Sequence, residues 1–503
     1  MEKIISVVLM VGLCLLLVVP TSAHAESAVS IKPVTVSSAG DRTAAITADG
    51  SLWMWGNYAQ PFIDERGGFD TGYKKSPVKT LTNAMYVCCS TYHAAAIKKD
   101  GSLWMWGSND YGQLGNGKKD DVIFGGESYQ LSPVKVMDDV AMVSCGFAHT
   151  AAIKTDGSLW LFGSNEYGQI GNNCAGDATK AGLHSVKPEY ALQTVPTKVM
   201  DDVAYVSCGY NFTAAIKKDG TLWTWGDNQR GQLGNGEYGG SIYRGDQYVP
   251  VKILDNVMSV SCGKSHVAAV DKDGVLWTWG WNGNGCLGVG STSVAEKDGY
   301  NSSVPVRIMD GVLYVDCGKY NTAVVKDDGT LWIWGANRGA EIIGGDLPDS
   351  VGTPTKVMDD CHGLTLASAI AIFVIKSDGA LYGWGRKAYL GIGKDSDEIQ
   401  STPVKILDNI AMPGGSKELE PTLEPTKTPE PTETPKATET PEPTKTPKAT
   451  ETPKATETPE PTKTPELTPT PTPSLTWRLL QKRLWLIRNG LNSLLRDLLI
   501  QYR

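Results

Sequence analysis

The stretch TAAIKTDGSLWLFGSNEYGQIG, from Thr150 to Gly171, has near copies along the chain between about Val34 and Ile410. Its Asp-Gly dipeptide recurs seven times, at Asp49-Gly50, Asp100-Gly101, Asp156-Gly157, Asp219-Gly220, Asp273-Gly274, Asp328-Gly329 and Asp378-Gly379. Neighbouring copies lie 50 to 63 residues apart. Because the residues inside each period read as short strands, this spacing favours propeller blades over two-helix solenoid units.

Each period contains four runs of β-branched or aromatic residues separated by turn residues, which predicts four strands per unit. In one period these strands are Pro133–Val136, Val140–Cys145, His149–Lys154 and Ser158–Phe162. Asp156-Gly157 forms the tight turn between the last two, since aspartate and glycine tolerate the positive φ that hairpin turns demand.

Paired aromatic residues two positions apart follow each Asp-Gly turn and therefore share one face of a strand. The pairs are Trp53/Trp55, Trp104/Trp106, Trp160/Phe162, Trp223/Trp225, Trp277/Trp279, Trp332/Trp334 and Tyr382/Trp384. Since they recur in every unit, we expect them to fill the wedge between adjacent blades rather than to bind sugars.

The two ends of the repeat region predict how the ring closes. The last repeat is followed by Pro403–Leu407, which matches Pro133–Val136, whereas the first repeat begins near Val34. We therefore expect N- and C-terminal strands to complete one blade together, which removes open sheet edges. The predicted fold is an all-β, seven-bladed propeller.

Two recurring motifs resemble the signatures of regulator of chromosome condensation repeats: VSCGFAHTAAI (Val143 to Ile153) and WGSNDYGQLGNG (Trp106 to Gly117). The resemblance implies a seven-bladed β-propeller over about Val34 to Ile410. The chain is also similar to a secreted bacterial branch of the family. That branch includes a β-lactamase inhibitor that covers the enzyme's active site, so a capping role is one implied function.

The flanking segments predict export and display. Lys3, the apolar run Ile4–Val19 and Ala23-His24-Ala25 form a signal peptide over residues 1–25, followed by the propeller over 26–412. Residues 413–473 are a Pro/Thr-rich disordered linker. The basic, leucine-rich residues 474–503 are either a peripheral membrane or cell-wall anchor or the product of a reading-frame change.

The net charge and the cysteine content of the chain limit the classes of partner that we expect. The net charge of -8 argues against nucleic acid, and no later run of 18 apolar residues predicts a transmembrane helix. Nine cysteines remain after signal removal, so at least one thiol stays unpaired or pairs between molecules. We expect a monomer that is secreted or held at the cell surface.

Histidines and cysteines recur at fixed repeat positions. His93, His149 and His266 share one position, which Arg42, Phe212, Asn321 and Ala371 occupy in other blades; this irregular set predicts local hydrogen bonding rather than a metal site.

A second repeat position, held mostly by cysteine, is expected to carry small, buried side chains; the alternative is a ring of thiols that binds a soft metal. Its members are Cys89, Cys145, Cys208, Cys262 and Cys317, with Ser38 and Ala367. Cys88, Cys174, Cys286 and Cys361 fall outside it and could be exposed.

No motif predicts catalysis or a cofactor. Ser76-Pro77-Val78-Lys79 has the S-x-x-K spacing of penicillin-interacting enzymes but lies on a predicted strand instead of a helical turn. Asp138-Asp139 and its equivalents are predicted as solvated turns. We therefore expect neither a catalytic residue nor a bound metal.

The connections that follow the Gly-Gln-Leu-Gly turn vary most in length, which favours one rim of the propeller as the binding surface. Their aromatic residues have the composition of recognition surfaces, although each could simply pin its own loop. The candidates are Phe124, Tyr129, Tyr190, Tyr238, Tyr243, Tyr248 and Tyr300. The sequence thus predicts a scaffold that binds an extracellular protein or glycan; the alternatives are an inhibitor of a secreted enzyme and a carbohydrate-active enzyme.

Overall fold

The computed structural model describes residues 35–411, with gaps at 41, 58–61, 64–68, 71–72, 119–122, 125–126, 174–191, 238–244, 291–300, 338–342, 344–346, 368–370 and 394–397. The predicted signal peptide, linker and C-terminal segment lie outside the described residues. Residues 424–503 lie wholly outside the described part. None of the helical segments in the described part has the length and hydrophobicity needed to span a bilayer.

The described residues form seven antiparallel sheets arranged as successive blades. Blade 1 contains β1 (Val36–Ala39), β2 (Arg42–Ile46), β3 (Leu52–Asn57) and β6 (Tyr73–Leu81), with the small hairpin β4 (Phe62–Ile63) and β5 (Phe69–Asp70) between β3 and β6. Blade 2 contains β7 (Ala84–Cys89), β8 (His93–Lys98), β9 (Leu103–Ser108) and β11 (Glu127–Met137), with β10 (Ile123–Phe124) added at the outer edge.

The next blades repeat this order of four strands. Blade 3 contains β12 (Val140–Cys145), β13 (His149–Lys154), β14 (Leu159–Ser164) and β15 (Leu192–Met200). Blade 4 contains β16 (Val203–Cys208), β17 (Phe212–Lys217), β18 (Leu222–Gly226) and β19 (Gln247–Leu254). Blade 5 contains β20 (Val257–Cys262), β21 (His266–Asp271), β22 (Leu276–Gly280) and β23 (Ser302–Met309).

Two further blades complete the ring. Blade 6 contains β24 (Val312–Cys317), β25 (Asn321–Lys326), β26 (Leu331–Ala336) and β27 (Ser350–Met358). Blade 7 contains β28 (Gly363–Ala367), β29 (Ala371–Ile375), β30 (Leu381–Arg386) and β31 (Ile399–Leu407). Single 3-10 turns lie at Gly283–Gly285 and Lys387–Tyr389. The predicted all-β, seven-bladed propeller is confirmed.

The predicted strands are present, but the blade boundary differs from the sequence unit. The strand that contains Pro133–Val136 pairs with β9, where Lys135 lies opposite Trp104, so it is the outermost strand of blade 2 rather than the first of blade 3. Each blade therefore ends with the proline-containing strand that the sequence pattern placed at the start of the next unit, and the next blade begins at the strand after it.

Ring closure also differs in its details from the prediction. Pro403–Leu407 belongs to β31 and completes blade 7, whose other three strands directly precede it. The C-terminal residue that enters blade 1 is Ile410, which forms an antiparallel bridge with Thr47. The Ala48 N–H donates to the Asn409 carbonyl at 2.8 Å, and the Ala411 N–H donates to the Ile46 carbonyl at 3.0 Å. The ends meet in blade 1 through this short contact.

The second aromatic residue of each pair fills the space between blades, as predicted. Trp225 is fully buried, and its indole Nε1 donates to the Gln169 carbonyl of blade 3 at 2.9 Å. Trp279, Trp334 and Trp55 make the equivalent bond to Gln232, Cys286 and Tyr389 of their preceding blades. The first residue of each pair is only half-buried. One aromatic per blade thus packs against its neighbour.

A ring of hydrogen bonds joins the innermost strands around the propeller axis. In each blade one side chain of the innermost strand accepts from a backbone N–H of the next blade. The seven acceptors are Ser37, Cys88, Ser144, Ser207, Ser261, Asp316 and Thr365, and the donors are Cys89, Cys145, Cys208, Cys262, Cys317, Leu366 and Ser38. The last bond runs from blade 7 to blade 1 and closes the circle.

Candidate functional site

Strand direction determines which face of the propeller carries the connections of variable length. The first and third strands of every blade run toward one face, so the turn between strands one and two and the connection between strands three and four both lie there. We call it the upper face. The Asp-Gly turns lie on the opposite face, and in the turn between β13 and β14 the Asp156 carboxylate accepts from Ser158 N at 2.8 Å while Gly157 adopts φ +86°.

An aromatic crown occupies the upper face across blades 2 to 6. Its members come mainly from the turns between the first two strands: Tyr92, Phe147, Tyr210, Lys264 and Tyr320, with Trp281 from the connection in blade 5. Tyr92 is 39% exposed and the others are half-buried. The crown is therefore accessible at the surface.

Ring geometry makes one side of the crown continuous. The rings of Tyr92 and Phe147 meet edge to face, with centroids 4.7 Å apart at 81°. Phe147 and Tyr210 are stacked, with centroids 4.3 Å apart at 25°. Such arrangements are favourable for aromatic quadrupoles beyond the area they bury. Burial also raises the pKa of Tyr210, so its hydroxyl stays protonated and remains a hydrogen-bond donor.

A lysine joins the two sides of the crown. Lys264 Nζ lies 5.3 Å from the ring centroid of Tyr210 and 5.4 Å from that of Tyr320, and it donates to the Tyr320 hydroxyl at 3.3 Å. A cation within about 6 Å of an aromatic ring is attracted by the ring face. Lys319 adds a second cation 5.2 Å from the Tyr320 ring. The crown thus combines aromatic surface with positive charge.

Backbone hydrogen bonds hold the crown turns in place. The carbonyls of Tyr92, Asn211, Ser265 and Tyr320 accept from backbone N–H groups at the end of strand three or directly after it, at 2.8 to 3.0 Å. The Trp281 N–H makes one of these bonds, to Ser265, and its ring lies 5.3 Å from Tyr320. The side chains therefore project from ordered turns.

The three repeated histidines lie beneath these turns and are fully buried. His93 Nε2 bonds with Thr150 Oγ1 of the next blade at 2.8 Å, and His149 and His266 bond with Thr213 and Thr322. Desolvation lowers the pKa of His93 and His149 to about 3 and that of His266 to about 4, so all three are neutral. The predicted hydrogen bonding is present, but these bonds join neighbouring blades instead of being local.

The cysteines of the described residues are free thiols. Cys89, Cys145 and Cys208 are buried, as predicted for the repeated position, and Cys262 and Cys317 are half-buried. Cys286 and Cys361 are buried instead of exposed: the Cys286 thiol donates to the Trp281 carbonyl at 2.8 Å within the connection of blade 5, and Cys361 packs in the core shared by blades 6 and 7. Cys174 lies outside the described residues. Within the described part, no group of three or more His, Cys, Asp or Glu residues could hold a metal ion.

The structure describes only some of the loop aromatics predicted to bind ligand. Tyr190, Tyr238, Tyr243 and Tyr300 lie outside the described residues. The backbone of Phe124 lies in β10 and that of Tyr129 in β11, opposite Ser108; their side chains are outside the described part. Their role in binding stays a prediction.

Tyr248 is the one loop candidate whose side chain is described. It is half-buried at the start of β19, and its ring lies directly over Gly168 of blade 3, where an added Cβ would collide with Tyr248 Cδ1. The Asn173 N–H also donates to the Tyr248 carbonyl at 3.1 Å. Tyr248 therefore packs against the neighbouring blade, which matches the alternative in which a loop aromatic pins local structure.

The crown itself was missed by sequence reasoning. Its turns are only two or three residues long and sit inside the repeated signature, which reads as scaffold. Sequence variation at one repeat position could have indicated these turns. That position lies between more regular neighbours and holds different side chains from blade to blade: Phe147, Tyr210, Lys264 and Lys319.

The architecture and the upper-face crown define a repeat propeller with a surface suited to recognition. The family described as regulator of chromosome condensation (RCC1) repeat matches residues 100–153, 156–216, 219–270 and 273–325. A second RCC1 repeat description matches 86–113, 140–169, 203–232 and 257–286. The chain therefore contains RCC1 repeats in a seven-bladed β-propeller.

Similar proteins share this repeat region. The RCC1 domain-containing protein RUG3, mitochondrial, of Arabidopsis thaliana is 28% identical over 332 residues, which cover 62% of this chain and 68% of RUG3. The ultraviolet-B receptor UVR8 of the same plant is 29% identical over 327 residues, covering 63% and 68%. Yeast RCC1 (Prp20), solved with Kap60 bound, is similar with a TM-score of 0.56 and 19% identity, covering 76% and 86%. The last similarity supports the fold.

Proposed function

We propose that this chain is an exported binding scaffold that captures a partner protein with the aromatic crown on its upper face. The observation that carries the proposal is the crown, a partly exposed aromatic and cationic surface that spans five blades. Tyrosine and tryptophan are enriched among the residues that dominate protein interfaces because they bury large area at low conformational cost.

The rigidity of the turns supports recognition. Because each crown residue projects from a turn bonded to its own blade, little side-chain and loop entropy is lost on binding. Lys264 and Lys319 favour a partner whose contact surface is acidic, since complementary charge speeds association and selects orientation. The predicted signal peptide supports a secreted or cell-surface location, and the linker supports display away from an attachment point.

A similar propeller that binds a protein favours a protein partner over a glycan. Yeast Prp20, which has the same fold, was crystallised with Kap60 bound. Inhibition of a secreted enzyme would be a special case in which the crown covers that enzyme's active site. Loss of activity of the captured enzyme on addition of the propeller would identify this case.

The proposal is tested by capture from the secreted and surface proteins of the source organism, with the full chain immobilised and bound proteins read by mass spectrometry. A Phe147→Ala, Tyr210→Ala double variant should lose the specific partner. Tyr382→Ala is the matched control, because Tyr382 is a half-buried aromatic whose hydroxyl donates to Asp378 on the opposite face. Equal capture by the double variant, with its fold intact by circular dichroism, would refute the proposal.

A further inference from the structure

The hydrogen-bond ring around the axis contains one sulfur acceptor. Six of its acceptors are oxygens, and the seventh is Cys88 Sγ in β7, which accepts from the Cys145 N–H in β12 at 3.2 Å. At the next boundary the same position is Ser144, whose Oγ accepts from the Cys208 N–H at 2.9 Å. A thiol therefore replaces a serine hydroxyl only between blades 2 and 3.

A second thiol faces this sulfur from the neighbouring blade. Cys145 Sγ donates to the Cys88 carbonyl at 3.7 Å. The Cys145 side chain therefore points toward Cys88, whose sulfur also accepts from the Cys145 backbone N–H. The two thiols also interact with each other, side chain to side chain. Two cysteines on adjacent innermost strands thus direct their sulfurs into one inter-blade contact.

The adjacent Cys89 is directed elsewhere. Successive side chains of a strand point to opposite faces, and Cys89 packs with Ala44 and Ile46 of blade 1. At the next three boundaries, between blades 3 and 4, 4 and 5, and 5 and 6, the innermost-strand cysteine faces a serine of the preceding blade. These cysteines are Cys208, Cys262 and Cys317. Within the described residues, Cys88 and Cys145 are the thiol pair that the ring brings together.

We propose that Cys88 and Cys145 form a redox modification site, at which a small-molecule disulfide such as oxidised glutathione converts the two thiols to an inter-blade disulfide. Deprotonated Cys88 attacks one sulfur of the small disulfide, forming a mixed disulfide and releasing one thiolate. Deprotonated Cys145 then attacks the Cys88 sulfur, and the second thiolate leaves. The two protein thiols lose two electrons and two protons, and the small disulfide becomes two thiols.

The local environment sets the order of these steps. The hydrogen bond from the Cys145 thiol lowers the pKa of Cys88, whereas burial raises the pKa of Cys145. Since the thiolate is the attacking species, Cys88 reacts first. Cys88 is also the more exposed of the two, being half-buried against the buried Cys145. The product would lock blade 2 to blade 3 and constrain the unfolded chain between them.

The test treats the reduced, folded full chain with oxidised glutathione, then digests it with trypsin without reduction. Cleavage after lysine gives peptides 80–98 and 136–154, and mass spectrometry should show them joined. Cys89→Ser should retain the joined pair, whereas Cys88→Ser should lose it while keeping the fold, because serine supplies the oxygen found at four other ring positions.

Thermal unfolding gives a second readout. Oxidation should raise the unfolding midpoint of the wild-type chain by a few degrees, and that of Cys88→Ser by none. Absence of the joined peptides in folded, oxidised wild-type protein would overturn the proposal. Their survival in Cys88→Ser would also overturn it, because the linkage would then belong to Cys89.

Discussion

Replacing Asp316 by serine should stabilise the propeller at neutral pH. Asp316 is the only carboxylate in the described hydrogen-bond ring, where Ser37, Ser144, Ser207 and Ser261 hold equivalent positions. Desolvation raises its pKa from 3.8 to about 6, although Leu366 N donates to Oδ2 at 2.9 Å and Ser261 Oγ donates to Oδ1 at 3.2 Å. The ring thus holds a carboxylate in a site that disfavours its charge.

The sign and size of the effect follow from linkage. A carboxyl whose pKa is raised on folding binds its proton more tightly in the folded state, so its stabilising effect is present at low pH and is lost as pH rises through about 4 to 6. At 1.36 kcal/mol per pKa unit, the shift from 3.8 to about 6 costs about 3 kcal/mol at pH 7.5. Serine keeps one acceptor but loses the second bond, worth about 1 kcal/mol. A net gain of about 2 kcal/mol is expected.

Urea unfolding of wild type and Asp316→Ser at pH 7.5 and pH 4.5 measures this difference. About 2 kcal/mol of the variant's advantage should disappear between the two pH values, because the Asp316 carboxyl is mostly protonated in the folded state at pH 4.5. Asp327→Ser, which removes an exposed carboxylate of the same blade, should change stability by only a few tenths of a kcal/mol. A pH-independent difference, or a less stable variant at pH 7.5, would refute the reasoning.

Two further predictions concern blade packing and the loops. Gly171→Ala should destabilise the fold about 2 kcal/mol more than Gly329→Ala: both glycines have φ +77°, but an added Cβ at Gly171 meets Trp225 Nε1 at 2.6 Å, whereas nothing lies within 4 Å at Gly329. Equal loss in chemical denaturation would contradict the packing role of Trp225. Triple alanine substitution at the loop tyrosines Tyr238, Tyr243 and Tyr248 tests the loops named from the sequence against the crown: capture should persist when the crown is the binding surface, and loss of capture with the ring still folded would assign binding to these loops.

The repeat period predicts the blades well because most strand pairing is local. His149–Lys154 pairs with the strands immediately before and after it, so its neighbours lie within one period of the sequence. The period does not show where a blade begins. That boundary depends on whether the Pro-Val-Lys strand pairs backward or forward, and the pairing of Trp160 with Lys198 decides it.

Contacts between blades are harder to predict. Phe147 and Tyr210 are 63 residues apart in the sequence, and their stacking depends on the angle between blades 3 and 4. Cys88 and Cys145 meet for the same reason. The pattern of repeats indicates which positions are equivalent, but not which unlike side chains at those positions touch around the ring.

Hydrogen exchange of the propeller alone and with its captured partner tests the binding account most directly. Amides of the crown turns at residues 90–92, 146–148, 209–211, 263–265 and 318–320 should gain protection when the partner is added, while the Asp-Gly turns of the opposite face should exchange unchanged. Protection confined to the opposite face or to the outermost strands would contradict the assignment of the crown as the binding surface.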